Sequence, residues 1–129
     1  MNFQREACYL SLMNQWLIRY QRGWPIENFF IHRCINTVAI YGMGLYGRHL
    51  IRDLGGSSIK VSYAIDRKKK LPYEGVIVYQ LDAQFPSVDA VVYSVLEGTD
   101  SIRLWLKTKF DCPIYSIEEV VFSDDEYES

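Results

Sequence analysis

Cysteine and histidine are scarce in this chain. Its three cysteines, Cys8, Cys34 and Cys112, are odd in number and never spaced as Cys-x-x-Cys, and its two histidines, His32 and His49, do not complete a metal-ligand set. A disulfide framework and a zinc site are therefore both unexpected, and the thiols read as small buried or half-buried side chains. Cys112, before Pro113, has no base near it in sequence that would make it a nucleophile. No run of 18 apolar residues is present, so membrane insertion is not expected. The opening Met1-Asn-Phe-Gln-Arg-Glu6 lacks the positive segment and apolar core of a signal peptide, which places the expected location in the cytoplasm. Neither charge sign dominates: 14 Lys and Arg stand against 16 Asp and Glu, with no basic arm or stripe. A nucleic-acid partner is accordingly not expected.

Aromatic residues, in contrast, are plentiful, at 15% of the chain with ten Tyr and three Trp. That points to buried ring contacts or an interface. A chain of 129 residues makes one domain, and a domain of this size buries roughly two-thirds of its unfolded surface.

The most informative stretch runs from Val38 to Asp66. An apolar segment, Val38-Ala-Ile-Tyr41, leads into Gly42-Met-Gly44-Leu-Tyr-Gly47; a helical pattern begins near Leu45; a second apolar segment follows, Ile59-Lys-Val-Ser-Tyr-Ala-Ile65; and Asp66 closes it 19 residues after Gly47. Strand, GxGxxG, helix, strand and acid in this order are the fingerprint of a nucleotide-binding βαβ unit. Each part has a mechanical task. Gly42 allows a tight turn off the strand, Gly44 lets the backbone approach a diphosphate at the helix N-terminus, and Gly47 lets that helix pack against the sheet. Asp66 is placed to accept hydrogen bonds from a ribose diol, which favours NAD over NADP; Arg67 beside it pulls the other way. The basic run Arg67-Lys-Lys-Lys70 is placed to touch a 2′-phosphate or the phosphates of a nucleotide, and reads more readily as a solvated loop.

The rest of the chain fits the same architecture. Residues 3 to 22 contain no Gly or Pro and read as a helix with a wide apolar face, one stripe of Phe3, Ala7, Leu10 and Leu17 beside a second of Tyr9, Met13, Trp16 and Tyr20. Gly23 suits the residue after the helix end, and Trp24-Pro25 opens a short helix over Ile26 to Arg33 with Phe29 and Phe30 inward. Val76 to Tyr79 and Asp89 to Val95 read as strands, the latter apolar as in a sheet covered on both faces. Ser101 to Phe110 reads as an amphipathic helix carrying Ile102, Leu104, Trp105 and Leu106. Pro113 to Ile117 is a last strand, and Ser116-Ile-Glu-Glu119 has the capping-box pattern. The expected fold is thus α/β, a Rossmann-like three-layer arrangement with a mostly parallel sheet of about five strands. Residues 1–37 form an N-terminal helical extension, 38–122 the nucleotide-binding domain and 123–129 an acidic, disordered tail. The wide-faced leading helix is a candidate for homo-oligomer contacts.

Four segments carry a resemblance: Tyr41-Gly-Met-Gly-Leu-Tyr-Gly47, Tyr63-Ala-Ile-Asp-Arg67, Asp89-Ala-Val-Val and Cys112-Pro-Ile-Tyr-Ser-Ile-Glu-Glu119. With Trp16 ahead of Gly23-Trp-Pro25, the chain resembles small Rossmann-like proteins and domains associated with bacterial surface-polysaccharide synthesis. More loosely it is similar to the N-terminal domains of nucleotide-sugar acyltransferases and dehydratases. The resemblance implies NAD or a UDP-sugar as ligand, held at Gly42, Gly44, Gly47 and Asp66, and transfers no defined reaction. Leu45, Tyr46, Arg67 and Ser94 complete the candidate cofactor-binding set, with Arg48 and Glu97 at its rim.

Complete catalytic machinery is not visible. None of the ten tyrosines has a lysine four residues later, the pair by which many oxidoreductases of this architecture polarise a hydroxyl or carbonyl. His49 falls just after the motif, on the helix, placed to face a ligand's phosphate or solvent and not expected to be catalytic. Three readings follow: a nucleotide-binding module, a nucleotide-sugar enzyme completed by oligomerisation, and an interaction module whose glycine turn holds no ligand.

Overall fold

A computed structural model describes residues 3–123, with the side chains of residues 3–5 not described. Five strands form one sheet: β1 (Thr37–Tyr41), β2 (Lys60–Ile65), β3 (Val78–Tyr79), β4 (Ala90–Tyr93) and β5 (Ile114–Ser116). Their spatial order is β3-β2-β1-β4-β5 and every pairing is parallel. The chain moves outward from β1 through β2 to β3, then crosses to the other side of β1 for β4 and β5. The strand order therefore reverses between β1 and β4, and the loops leaving these two strands diverge to open a crevice at their C-terminal ends.

Burial follows from the period of two along each strand. In β1, Val38 and Ile40 join one core cluster while Ala39 and Tyr41 join another on the opposite face. The first cluster is covered by α1 (Phe3–Gln21), α2 (Glu27–Ile31), α3 (Leu45–Leu54) and α5 (Ile117–Val121). The second lies under α4 (Thr99–Lys109) and the connection through Leu81, Phe85 and Val88. Aromatic rings fill that second face: Phe85 stacks on Tyr63 and Phe110, and Trp105 lies edge-on to it. Burial pushes the Tyr63 hydroxyl up to about 12, and that hydroxyl donates to the Pro86 carbonyl. The α/β class, the five parallel strands and the flanking helices agree with the Rossmann-like expectation from sequence.

Helix α1 turns inward only one of its two expected apolar stripes, that of Tyr9, Met13 and Trp16, without Tyr20. Leu12, Trp16 and Arg19 are buried, with Tyr9 and Met13 partly so. Leu10, Leu17 and Tyr20 remain 71%, 52% and 80% exposed, and Ala7 is exposed as well. Polar anchors decide the rotation. The Trp16 indole N–H donates to the Asp53 carboxylate on α3. The Arg19 guanidinium donates to the carbonyls of Pro25 (3.3 Å), Ser123 (3.2 Å) and Val121 (3.5 Å), the last two at the carbonyl-rich end of α5, where a cation is favoured. Hydrogen bonds from a charged group contribute about 1.5–3 kcal/mol each, enough to outweigh turning one leucine inward.

Smaller departures have local causes. Leu104 is 65% exposed and Leu106 alone in α4 is fully buried, because α4 contacts the sheet along a narrow line. Cys8 and Cys34 are exposed, against expectation, and Cys112 is half-buried. Cys34 ends the turn after α2 at φ +59°. The strand read over Val76–Tyr79 joins the sheet at Val78 and Tyr79, while Val76 bridges back to Tyr73. The capping box forms as read, with Ser116 and Glu119 bonding each other's backbone. Residues 124–129 of the acidic tail lie outside the described residues.

At the N-terminal edge of the sheet, the exposed Asp89 carboxylate accepts the N–H groups of Asn36 (2.9 Å) and Thr37 (3.1 Å). Those backbone hydrogen bonds hold its pKa below the ordinary 3.8. A depressed folded-state value means that its contribution to stability is full above 3.8 and is lost as pH falls through the folded value. On acidification below about pH 4, urea midpoints of Asp89→Asn should fall less steeply than those of the unmodified protein; equal slopes would contradict this clamp.

Candidate functional site

The glycine turn is built as a division of labour. Gly42 leaves β1 at φ +99°, a conformation that side chains rarely adopt, and its N–H donates to the Ile65 carbonyl at 2.7 Å. A Cβ at Gly42 would also meet Ser94 Oγ at 2.9 Å. At Gly47, in the first turn of α3, a Cβ would sit 2.0 Å from the Gly42 carbonyl oxygen, so this glycine sets how closely helix and turn approach. Gly44 is unlike either: its φ is −79° and no atom lies within 4 Å of a Cβ placed there. As N-cap it offers no side-chain acceptor to the helix, and the first amides of any helix lack acceptors within it. The protein itself therefore does not require a glycine at Gly44, whereas an approaching ligand would.

Beside this turn lies an open cleft of about 1210 Å³, at the C-terminal ends of β1, β2 and β4. Gly42, Gly44, Leu45 and Tyr46 line it from the turn; Asp66, Arg67, Lys68 and Lys70 from the loop after β2; Ser94 through Gly98 from the loop after β4. Tyr9, Leu10 and Met13 of α1 wall it on the remaining side, with Ile102 of α4 opposite. One part is thus charged and the other apolar. Seven of the eight residues proposed from sequence as cofactor contacts, all but Gly47, line this single space, and Gly47 acts from behind by fixing the helix.

Three candidates are already engaged by the protein. Asp66 Oδ2 accepts the Met43 N–H at 2.8 Å and Oδ1 accepts the Lys68 N–H at 2.9 Å, so the acid ties the glycine turn to the basic loop. Ser94 Oγ donates within reach of the Gly42 and Tyr41 carbonyls, at 2.7 and 3.1 Å, and is buried. It is a brace for the turn, and its hydroxyl proton is not offered to the cleft. Tyr46 is buried with its hydroxyl toward the Tyr9 carbonyl at 3.5 Å, and burial, then Tyr9, raises its pKa.

The rim residues separate. Glu97 lines the cleft. Arg48 folds back onto the Gly44 carbonyl (Nε to O, 3.3 Å), and His49 packs on Trp16 with its Nδ1 2.8 Å from Arg52. His49 has its pKa lowered by burial first and by Arg52 next; it belongs to the α1–α3 seam. Cys112 precedes β5, at the sheet edge away from the cleft, and burial pushes its thiol up, which disfavours a thiolate. No nucleophile is paired with a base among the described cleft residues, and no group of His, Cys, Asp or Glu there could hold a metal ion.

The sequence reading missed the apolar wall of Leu10 and Met13, and of the basic run it singled out Arg67 while Lys68 and Lys70 line the cleft too. The lysines were visible as a charge run, but which of them face the cleft depends on the Asp66 bonds. No protein-family model matches the chain, and no curated protein or solved structure matches it. No helix among the described residues is long and apolar enough to cross a membrane.

Proposed function

We propose that this protein is a nucleotide-binding module that takes a diphosphate-containing nucleotide, the class to which NAD(H) and UDP-sugars belong, in the cleft over Gly44. The observation that carries the reading is the placement of a glycine with open space above it, at the head of α3, on the floor of a cleft at the β1/β4 reversal. A diphosphate there meets the unsatisfied amides and positive dipole end of α3. The residues present fit such a group: the turn leaves it room and the loop after β2 supplies cations. Bound NAD would bring redox chemistry; the chain's own residues supply binding and orientation. A place accessory to bacterial polysaccharide or nucleotide-sugar metabolism rests on the sequence resemblance of the glycine turn and the Asp66 segment.

Thermal unfolding with NAD, NADH, NADP, UDP-N-acetylglucosamine and coenzyme A tests this. A ligand at 100 times its dissociation constant stabilises by about 2.7 kcal/mol, and a selective upward shift is expected from at least one of them. No shift across the panel would contradict the proposal and favour an interaction module.

A second element of the proposal is self-association through α1. Leu10, Leu17 and Tyr20, at spacings of seven and three residues, are 71%, 52% and 80% exposed, the pattern of a helix seam that packs on another helix. Leu17→Glu should leave the fold unchanged and convert a dimer to a monomer in sedimentation equilibrium; an unmodified protein that is already monomeric would overturn this element.

A further inference from the structure

Resting on the nucleotide reading of the cleft, we infer that its ligand carries a monophosphate on the ribose in addition to its diphosphate, held by Arg67, Lys68 and Lys70. The chemistry is that of a ribose-phosphorylated adenosine diphosphate, as found at the 2′ position in NADP and at the 3′ position in coenzyme A.

Asp66 provides the first ground. Each of its carboxylate oxygens already accepts a backbone N–H, from Met43 and from Lys68. A ribose diol would have to share an acceptor that the fold uses to hold two loops together. The same bonds turn the chain after β2 back along the cleft, so that Arg67, Lys68 and Lys70 line it beside Asp66.

Charge provides the second. Arg67, Lys68 and Lys70 face Asp66 and Glu97, a net of +1 in the cleft of a chain whose formal net charge is −2. The described ion pair, Arg103 with Glu119, involves none of these three cations. Arg67 also acts on the Tyr41 hydroxyl in the cleft, lowering a pKa that burial raises more strongly. Cations gathered at the acid that closes β2 suit a phosphate on the ribose, whose doubly charged form has strong acceptor oxygens.

Shape provides the third. Beyond the turn the cleft is walled by Leu10, Met13, Leu45, Leu96 and Ile102. Sugar hydroxyls pressed on such a surface would lose hydrogen bonds to water without replacement, which disfavours a UDP-sugar.

Isothermal titration of the full chain with NAD, NADP, dephospho-coenzyme A, coenzyme A and UDP-N-acetylglucosamine tests the inference. The phosphorylated member of one pair should bind at least tenfold tighter than its counterpart, NADP over NAD for a 2′ phosphate or coenzyme A over its dephospho form for a 3′ phosphate. The combined Arg67→Ala, Lys68→Ala, Lys70→Ala variant should weaken both members of the pair and abolish the margin between them, the phosphorylated member losing at least tenfold more affinity than its counterpart. Lys69→Ala, an exposed neighbour outside the cleft lining, should keep the margin. Equal affinities within both pairs, or tightest binding of the UDP-sugar, would overturn the inference while the nucleotide reading stood. Absence of binding by all five would overturn the nucleotide reading as well.

Discussion

Gly47→Ala should lower the melting temperature by about 10 °C. Two effects oppose each other at this position. Alanine inside a helix gains about 1 kcal/mol over glycine, and Gly47 is the third residue of α3. Against that, the added methyl would lie 2.0 Å from the Gly42 carbonyl oxygen, a backbone atom held by the turn that cannot rotate away. Overpacking of this kind costs about 3 kcal/mol or more at its upper end, leaving a net loss of about 2 kcal/mol or more, and for a domain of this length roughly 3–6 °C of melting temperature accompany each kcal/mol. Differential scanning calorimetry reads the result directly. An unchanged or raised melting temperature would mean that α3 does not need its close approach to the turn.

Gly44→Val separates binding from folding. The backbone there is extended, at φ −79° and ψ −156°, and a Cβ would meet nothing within 4 Å. The free protein should keep its circular dichroism spectrum and melt within about 2 °C of the unmodified chain, since substitutions of exposed residues usually cost within about 0.5 kcal/mol. Nucleotide affinity should fall at least tenfold, the equivalent of about 1.4 kcal/mol, because the branched side chain occupies the approach to the α3 amides. Retained affinity would move the ligand away from the glycine turn. The two neighbouring substitutions thus have opposite signatures, one read in stability and the other in binding.

The division among the glycines was legible because GxGxxG places each one at a fixed offset from a strand end and a helix start. The parallel sheet of about five strands followed from the same pattern, a βαβ unit and then a buried apolar segment at Ala90–Tyr93, while the order of the strands came only with the structure. The orientation of α1 was legible only in part. Its apolar periodicity offered two adjacent stripes, and the choice of the one through Trp16 is set by polar bonds of Trp16 and Arg19, whose partners Asp53 and Val121 lie 37 and 102 residues away. Counting apolar residues along a helix cannot register a guanidinium held by two carbonyls more than 100 residues away. The site was legible in its floor and opaque in its walls. Asp66 was found by its offset from Gly47, yet its bonds to Met43 and Lys68 exist only once the two loops meet, and they decide which cations of the basic run enter the cleft. Ser94 was placed at the correct edge, but its hydroxyl braces the turn instead of facing the cleft.

The central claim is that a nucleotide sits over Gly44 in the cleft at the β1/β4 reversal, and a backbone amide titration by NMR tests it most directly. On adding the nucleotide that gives the largest thermal shift, the account predicts saturable shifts concentrated at Gly42–Tyr46, Asp66–Lys70 and Ser94–Gly98, with the amides of Leu45 and Tyr46 among the largest. Shifts centred instead on the turn Gly55–Ser58 after α3, which borders a separate hollow of about 520 Å³, or no saturable shift from any nucleotide, would contradict it.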